Sequence, residues 1–85
     1  MYLTILSPEK KIFEGKVTQV TLPGSEGSFQ VLKNHAPLVS LLVQGTLVYE
    51  TEAERKALPI AGGVLEVVEN RLVVLLYTGV ACSTS

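Results

Sequence analysis

Val64-Leu65-Glu66-Val67-Val68-Glu69-Asn70-Arg71-Leu72-Val73-Val74-Leu75-Leu76-Tyr77 is the stretch that decides the class of fold. Two short runs of β-branched and aliphatic residues flank Glu69-Asn70. A two-residue link between such runs predicts an antiparallel hairpin, because Asn tolerates the left-handed backbone that tight turns require. The second run carries apolar side chains at both parities: Leu72, Val74 and Leu76 on one face, Val73, Leu75 and Tyr77 on the other. A strand that is apolar on both faces is either covered on both sides or leaves one side for a partner.

The same texture extends outward along the chain. Apolar segments alternate with Gly, Pro, Asn and Glu at intervals of roughly 8 to 12 residues, the spacing of an all-β sandwich or barrel. The expected strands are 2–6, 12–22, 28–32, 38–43, 46–51, 56–60, 63–68 and 71–77. Pro23-Gly24 suits the centre of a type II turn. The charged run Glu50 to Arg55 reads as a hairpin tip rather than a helix. Within 12–22, Phe13 and Val17 share one face while Val20 and Leu22 share the other, which predicts a bulge or a strand that passes from one sheet to another. Leu38 and Leu42 against Val39, Leu41 and Val43 repeat the two-faced apolar pattern on a further strand.

Composition sets the limits. Eighty-five residues and 9.1 kDa suffice for one domain with a thin core. The hydrophobic share of 47% with 18% charged residues is that of a folded chain. A net charge of -1 provides no attraction for nucleic acid or an acidic membrane surface, and the aromatics are not interleaved with basic residues as a stacking groove would need. The single Cys82 allows no internal disulfide and fits a reducing compartment. The N-terminus has no secretory or transit character, and no apolar run approaches the roughly 20 residues of a spanning helix. These features predict a soluble chain, or one held at a membrane only through partners.

The chemistry-bearing residues are sparse. There is no Asp, one His and one Cys, so triads and zinc sites lack members. Ser40 with His35 and a Glu could be imagined as an esterase, but no nucleophile elbow accompanies them. Gly62-Gly63 follows a strand without the Lys-Ser/Thr of a phosphate loop. Catalysis by this chain, a metal and a cofactor are therefore not expected.

Ser7-Pro8-Glu9, Phe13-Glu14-Gly15, Leu22-Pro23-Gly24-Ser25-Glu26-Gly27, Asn34-His35-Ala36-Pro37-Leu38 and Gly62-Gly63-Val64-Leu65-Glu66-Val67 follow one another with a spacing that resembles the N-terminal β-sandwich domain of the epsilon subunit of F-type ATP synthases. The resemblance implies a small β-sandwich of about ten short, mainly antiparallel strands over residues 1–80, with a short flexible tail over 81–85. It implies a non-catalytic central-stalk rotor subunit of a proton-translocating enzyme, coupling the c-ring to the gamma subunit, peripheral to the cell membrane on its cytoplasmic side. By position, Ser7, His35 and Ser40 match the gamma contact. Glu26, Gly27, Ser28 and Gln30 match the c-ring contact. Ser28 stands where an acidic residue is common and Gln30 where glycine is usual, so a differently charged ring contact is implied. The 85 residues include no counterpart of the family's C-terminal helical hairpin, and the expectation drawn from this is coupling without epsilon-type inhibition. Each singled-out residue also has a plainer role: His35 as a loop cap, Glu26 as a solvated turn residue. The competing reading for the whole chain is a free-standing β-sandwich module that binds a peptide or a sugar.

Overall fold

The computed structural model describes residues 1–77. They form nine strands: β1 (Tyr2–Leu6), β2 (Lys11–Lys16), β3 (Gln19–Gly24), β4 (Gly27–Leu32), β5 (Leu38–Leu42), β6 (Gly45–Glu50), β7 (Arg55–Ile60), β8 (Gly63–Val68) and β9 (Arg71–Leu76). The expected tail over 81–85 lies outside the described residues. All strand pairs are antiparallel except β1 with β9. The hydrogen-bonded order is β2-β1-β9-β8-β5-β3-β6-β7, with β4 on the other edge of β3. The sheet curls over itself into two leaves, β2-β1-β9-β8-β5 and β4-β3-β6-β7, joined where Gly24 pairs with Leu42.

The two-faced pattern in 12–22 is explained by this curl. No single strand runs through it: β2 ends at Lys16, and β3 begins at Gln19 in the opposite leaf. The step between them is held at both sides, Val17 N–H donating to Met1 C=O at 2.9 Å and Thr18 N–H to Glu50 C=O at 2.7 Å. The passage from one leaf to the other is thus present, as two strands with a bend between them. Chain 38–50 makes the same passage, from β5 to β6, and 55–68 makes it from β7 to β8.

The Glu69-Asn70 hairpin forms as its sequence indicates. Val68 pairs with Arg71, and the two turn residues have φ of 50° and 64°. The Pro23-Gly24 turn does not form. Both residues belong to β3, Gly24 pairs with Gly27, and the turn is made by Ser25-Glu26. Pro23 is accommodated because its carbonyl, the group it retains, accepts Val43 N–H at 2.9 Å.

The core is one cluster. Leu3, Ile5, Leu65, Val67, Leu72 and Val74 from the first leaf meet Val20, Leu22, Val31, Leu47 and Ile60 from the second. The alternation of β1, β8 and β9 places these residues on the concave side, as the two-residue period requires. At one edge Phe13 of β2 closes against Tyr49 of β6, ring centroids 4.4 Å apart. No buried side-chain polar atom among the described residues lacks a partner.

Candidate functional site

The convex side of the first leaf carries the second parity of its strands. Register aligns Leu41, Val64, Leu75 and Leu6 in one row across β5, β8, β9 and β1, and Val39, Glu66, Val73 and Thr4 in the next. Burial does not remove this surface from water: Val39 is 70% exposed, Leu41 58%, Leu75 50% and Tyr77 55%. The apolar residues at both parities of β5 and β9 therefore have a structural meaning. One set fills the core, and the other stands free on the same leaf, with β8 between the two strands.

The residues matched to the gamma contact all belong to this leaf but do not form one cluster. Ser7 lies just after β1, in a turn where its hydroxyl donates to Lys10 C=O at 3.1 Å and accepts Lys10 N–H at 3.2 Å. His35 lies in the 33–37 loop that leads into β5. Its Nδ1 donates to Ala36 C=O at 2.7 Å, the loop-capping role its sequence context suggests. Ser7 follows Leu6, which pairs with Leu75, whereas the His35 loop is tied to Asn70 at the other end of β9. The two therefore flank the leaf from opposite ends, about 13 to 17 Å apart along β9 at ~3.3 Å per residue. Ser40 sits mid-strand opposite Leu65, its hydroxyl donating to Leu41 C=O at 3.3 Å. The imagined pairing of Ser40 with His35 as nucleophile and base is not made, since each bonds a neighbouring carbonyl instead.

The residues matched to the c-ring contact belong to the second leaf. Glu26 occupies the exposed tip of the β3–β4 hairpin, and Gly27 follows with φ of 120°, where a side chain would be strained. Ser28 is exposed beside them. Gln30 is set apart. Its amide donates to Gln19 Oε1 at 3.0 Å, Gln19 Nε2 donates to Glu50 Oε2 at 2.7 Å, and Arg55 Nε lies 3.8 Å from the same carboxylate oxygen. This polar row crosses β4, β3, β6 and β7 on the outer face of the second leaf. Nothing in the residue spacing announces it, because its members meet only through strand register.

The two leaves approach each other at the hairpin tip. Ser25 N–H donates to Leu41 C=O at 3.2 Å, and a cleft of about 470 Å³ opens between residues 24–29 and Val39, Ser40 and Leu41. Ser40 thus belongs as much to the surroundings of Glu26 as to the first leaf. A second link was not legible in the sequence. Asn34 N–H donates to Asn70 Oδ1 at 2.7 Å, and Asn70 Nδ2 donates to Asn34 Oδ1 at 3.2 Å, joining the His35 loop to the β8–β9 turn. The two asparagines are visible as turn residues, but their pairing across 36 positions has no local signal.

Among the described residues no group of three or more His, Cys, Asp or Glu is placed to hold a metal ion. No described helix is long and apolar enough to cross a membrane. The arrangement provides adhesive surface: an apolar convex leaf and a polar hairpin tip beside it.

Comparison with known proteins places these features. The family profile described as "ATP synthase, Delta/Epsilon chain, beta-sandwich domain" matches residues 1–81. An "ATP synthase epsilon chain" of Rhodopseudomonas palustris is 43% identical over 74 residues, covering 87% of this chain and 55% of the relative. One from Leptospira interrogans is 40% identical over 77 residues, covering 91% of this chain and 61% of the relative. The chain thus spans somewhat more than half the length of these relatives. Among solved structures, a chain of the Euglena gracilis mitochondrial ATP synthase, resolved with OSCP, F1 and c-ring, superposes with a TM-score of 0.81 at 26% identity, over 87% of this chain and 48% of that one. A chain of the Tetrahymena thermophila central stalk and c-ring shares the fold, with a TM-score of 0.78 at 20% identity over 91% of this chain and 63% of that one.

Proposed function

Because this chain belongs to the delta/epsilon family of ATP synthase β-sandwich domains, we propose that it is a non-catalytic component of the central stalk of a proton-translocating ATP synthase, locking the gamma subunit to the c-ring. The observation that carries this reading is the bare apolar face of the first leaf. A thin-cored domain that leaves Val39 and Leu41 of β5, and Leu75 and Tyr77 at the end of β9, in water on one leaf is suited to burial against a larger neighbour. The gamma subunit is assigned to this leaf, with Ser7 and His35 at its two ends and Ser40 on its edge strand. The c-ring is assigned to the hairpin tip, where Glu26, Gly27 and Ser28 offer a polar, exposed turn. Gln30 supports that tip from the side through its bond to Gln19, which in turn bonds Glu50. The sandwich over residues 1–80 acts as a rigid wedge, and torque passes through contacts rather than through chemistry. The chain reaches the cytoplasmic side of the membrane only as part of the complex.

The test is capture of the chain from its own cell membranes at moderate salt. Recovery of gamma and the catalytic subunits is the expected result. Recovery of the chain alone, in the soluble fraction, would return the free-standing binding module to first place.

A further inference from the structure

We propose that Asn70, in the turn between β8 and β9, is the positioning residue for the 33–37 loop and sets the presentation of His35. This inference rests on the reading of that loop as part of the gamma contact. Asn70 is a fixed post. Its own backbone is held by the hairpin pair Val68 with Arg71, and its carbonyl accepts Tyr2 N–H at 2.9 Å, so two neighbouring strands locate it. The 33–37 loop is not so held. It crosses from β4 in one leaf to β5 in the other. Its backbone bond from His35 N–H to Leu32 C=O, 3.1 Å, is local. Among the described residues, the long-range hydrogen bonds of the loop are the two it shares with the Asn70 side chain, which accepts Asn34 N–H and donates to Asn34 Oδ1. Asn34 and Asn70 both adopt left-handed backbone, φ 66° and 64°. One asparagine thus shapes its own turn and clasps a second turn 36 residues away. The neighbouring His35 is thereby held at the margin of the apolar leaf rather than left to wander with the loop.

The left-handed φ makes a clean test possible. Asn70→Gly keeps the backbone conformation and removes the clasp, whereas Asn70→Asp keeps the acceptor for Asn34 N–H and loses the donor. Affinity of the full chain for the purified gamma subunit of the same organism is measured for both variants and for His35→Ala, beside melting temperature and hydrogen exchange of the Asn34 amide. The expected result is that Asn70→Gly melts within a few degrees of the parent, loses protection at Asn34, and binds gamma about tenfold more weakly, the loss of roughly one to two net hydrogen bonds. Asn70→Asp is expected to recover most of both the protection and the affinity. If Asn70→Gly binds as tightly as the parent while His35→Ala binds weakly, the assignment of Asn70 is overturned and the function of the loop stands. If Asn70→Asp is no better than Asn70→Gly, the clasp to the Asn34 backbone is overturned as the cause. If His35→Ala itself binds as tightly as the parent, the loop is not a gamma contact and the positioning role falls with it.

Discussion

Single atoms decide more here than residue class suggests. A Cβ on Gly63 would lie 2.3 Å from Leu75 C=O and 3.1 Å from Leu76 Cα, backbone that cannot rotate away. Gly63→Ala must therefore push β9 off β8, and it is expected to cost about 3 kcal/mol or more, read as a large fall in the urea midpoint. Gly27 poses the opposite problem: open space, but φ of 120°. Gly27→Ala is expected to cost about 1 to 2 kcal/mol through backbone strain alone. Charge acts more weakly. Glu14 accepts a hydrogen bond from Lys11, which together with the nearby Tyr2 hydroxyl holds its carboxyl below its ordinary 4.5, while the bond to Glu14 holds Lys11 above its ordinary 10.5. A lowered carboxylate stabilises the fold above its unfolded value and loses that contribution as pH falls through the folded one. The raised lysine contributes below 10.5 and loses its share as pH climbs beyond it. The contribution of this pair is thus expected to be flat between about pH 5 and 10 with a small decline on each side, and Glu14→Gln should remove both declines from these groups. A decline that survives the substitution would assign it elsewhere.

At the scale of the element, β5 shows how much a strand's sequence reveals and where it falls silent. Its apolar residues at both parities announced a strand with two greasy faces, and the structure buries Leu42 while leaving Val39 and Leu41 in water. Leu41→Ser is therefore expected to change the melting temperature little, since surface substitutions stay within about 0.5 kcal/mol, yet to weaken recovery of gamma in the capture experiment. Loss of both together would mean that the face supports the fold rather than the complex. The break of 12–22 into β2 and β3 was not legible, since it depends on the opposite leaf, but most strand positions were, because the two-residue period of burial is written in each segment by itself. The hairpin at Glu69-Asn70 was legible for the same reason. What escaped were relations between segments. Pro23-Gly24 has the composition of a turn, but the pairing of Pro23 with Ser28 and of its carbonyl with Val43 keeps it in β3. The polar row from Gln30 through Gln19 to Glu50 and the clasp of Asn34 with Asn70 depend on register across 11 to 36 positions. No local propensity encodes such distances. Ser7, His35 and Ser40 were selected by position along the chain, and the fold spreads them over one leaf instead of gathering them.

For the molecule as a whole, the curl of one sheet into two leaves leaves no part of the core that belongs to one leaf alone. Leu65 of β8 and Leu47 of β6 are both completely buried, in the same cluster but on opposite leaves. Four continuous segments, 11–24, 27–42, 38–50 and 55–68, pass from one leaf to the other, so neither leaf can detach without breaking the bends at 17–18, 33–37, 43–44 and 61–62. This connectivity predicts a single cooperative unfolding transition. Leu65→Ala and Leu47→Ala should each cost about 2 to 5 kcal/mol, a large share of the stability of a domain of this size, and each should lower the midpoint for the whole molecule rather than for its own leaf. Far-ultraviolet circular dichroism follows both leaves, and tyrosine fluorescence reports Tyr2 and Tyr77 of the first leaf together with Tyr49, which packs on Phe13 at the seam. The two curves are expected to coincide in the parent and in both variants, with unchanged urea dependence. Separation of the curves in Leu47→Ala would mean that the first leaf persists after the second has opened, and the wedge would then yield under torque one leaf at a time.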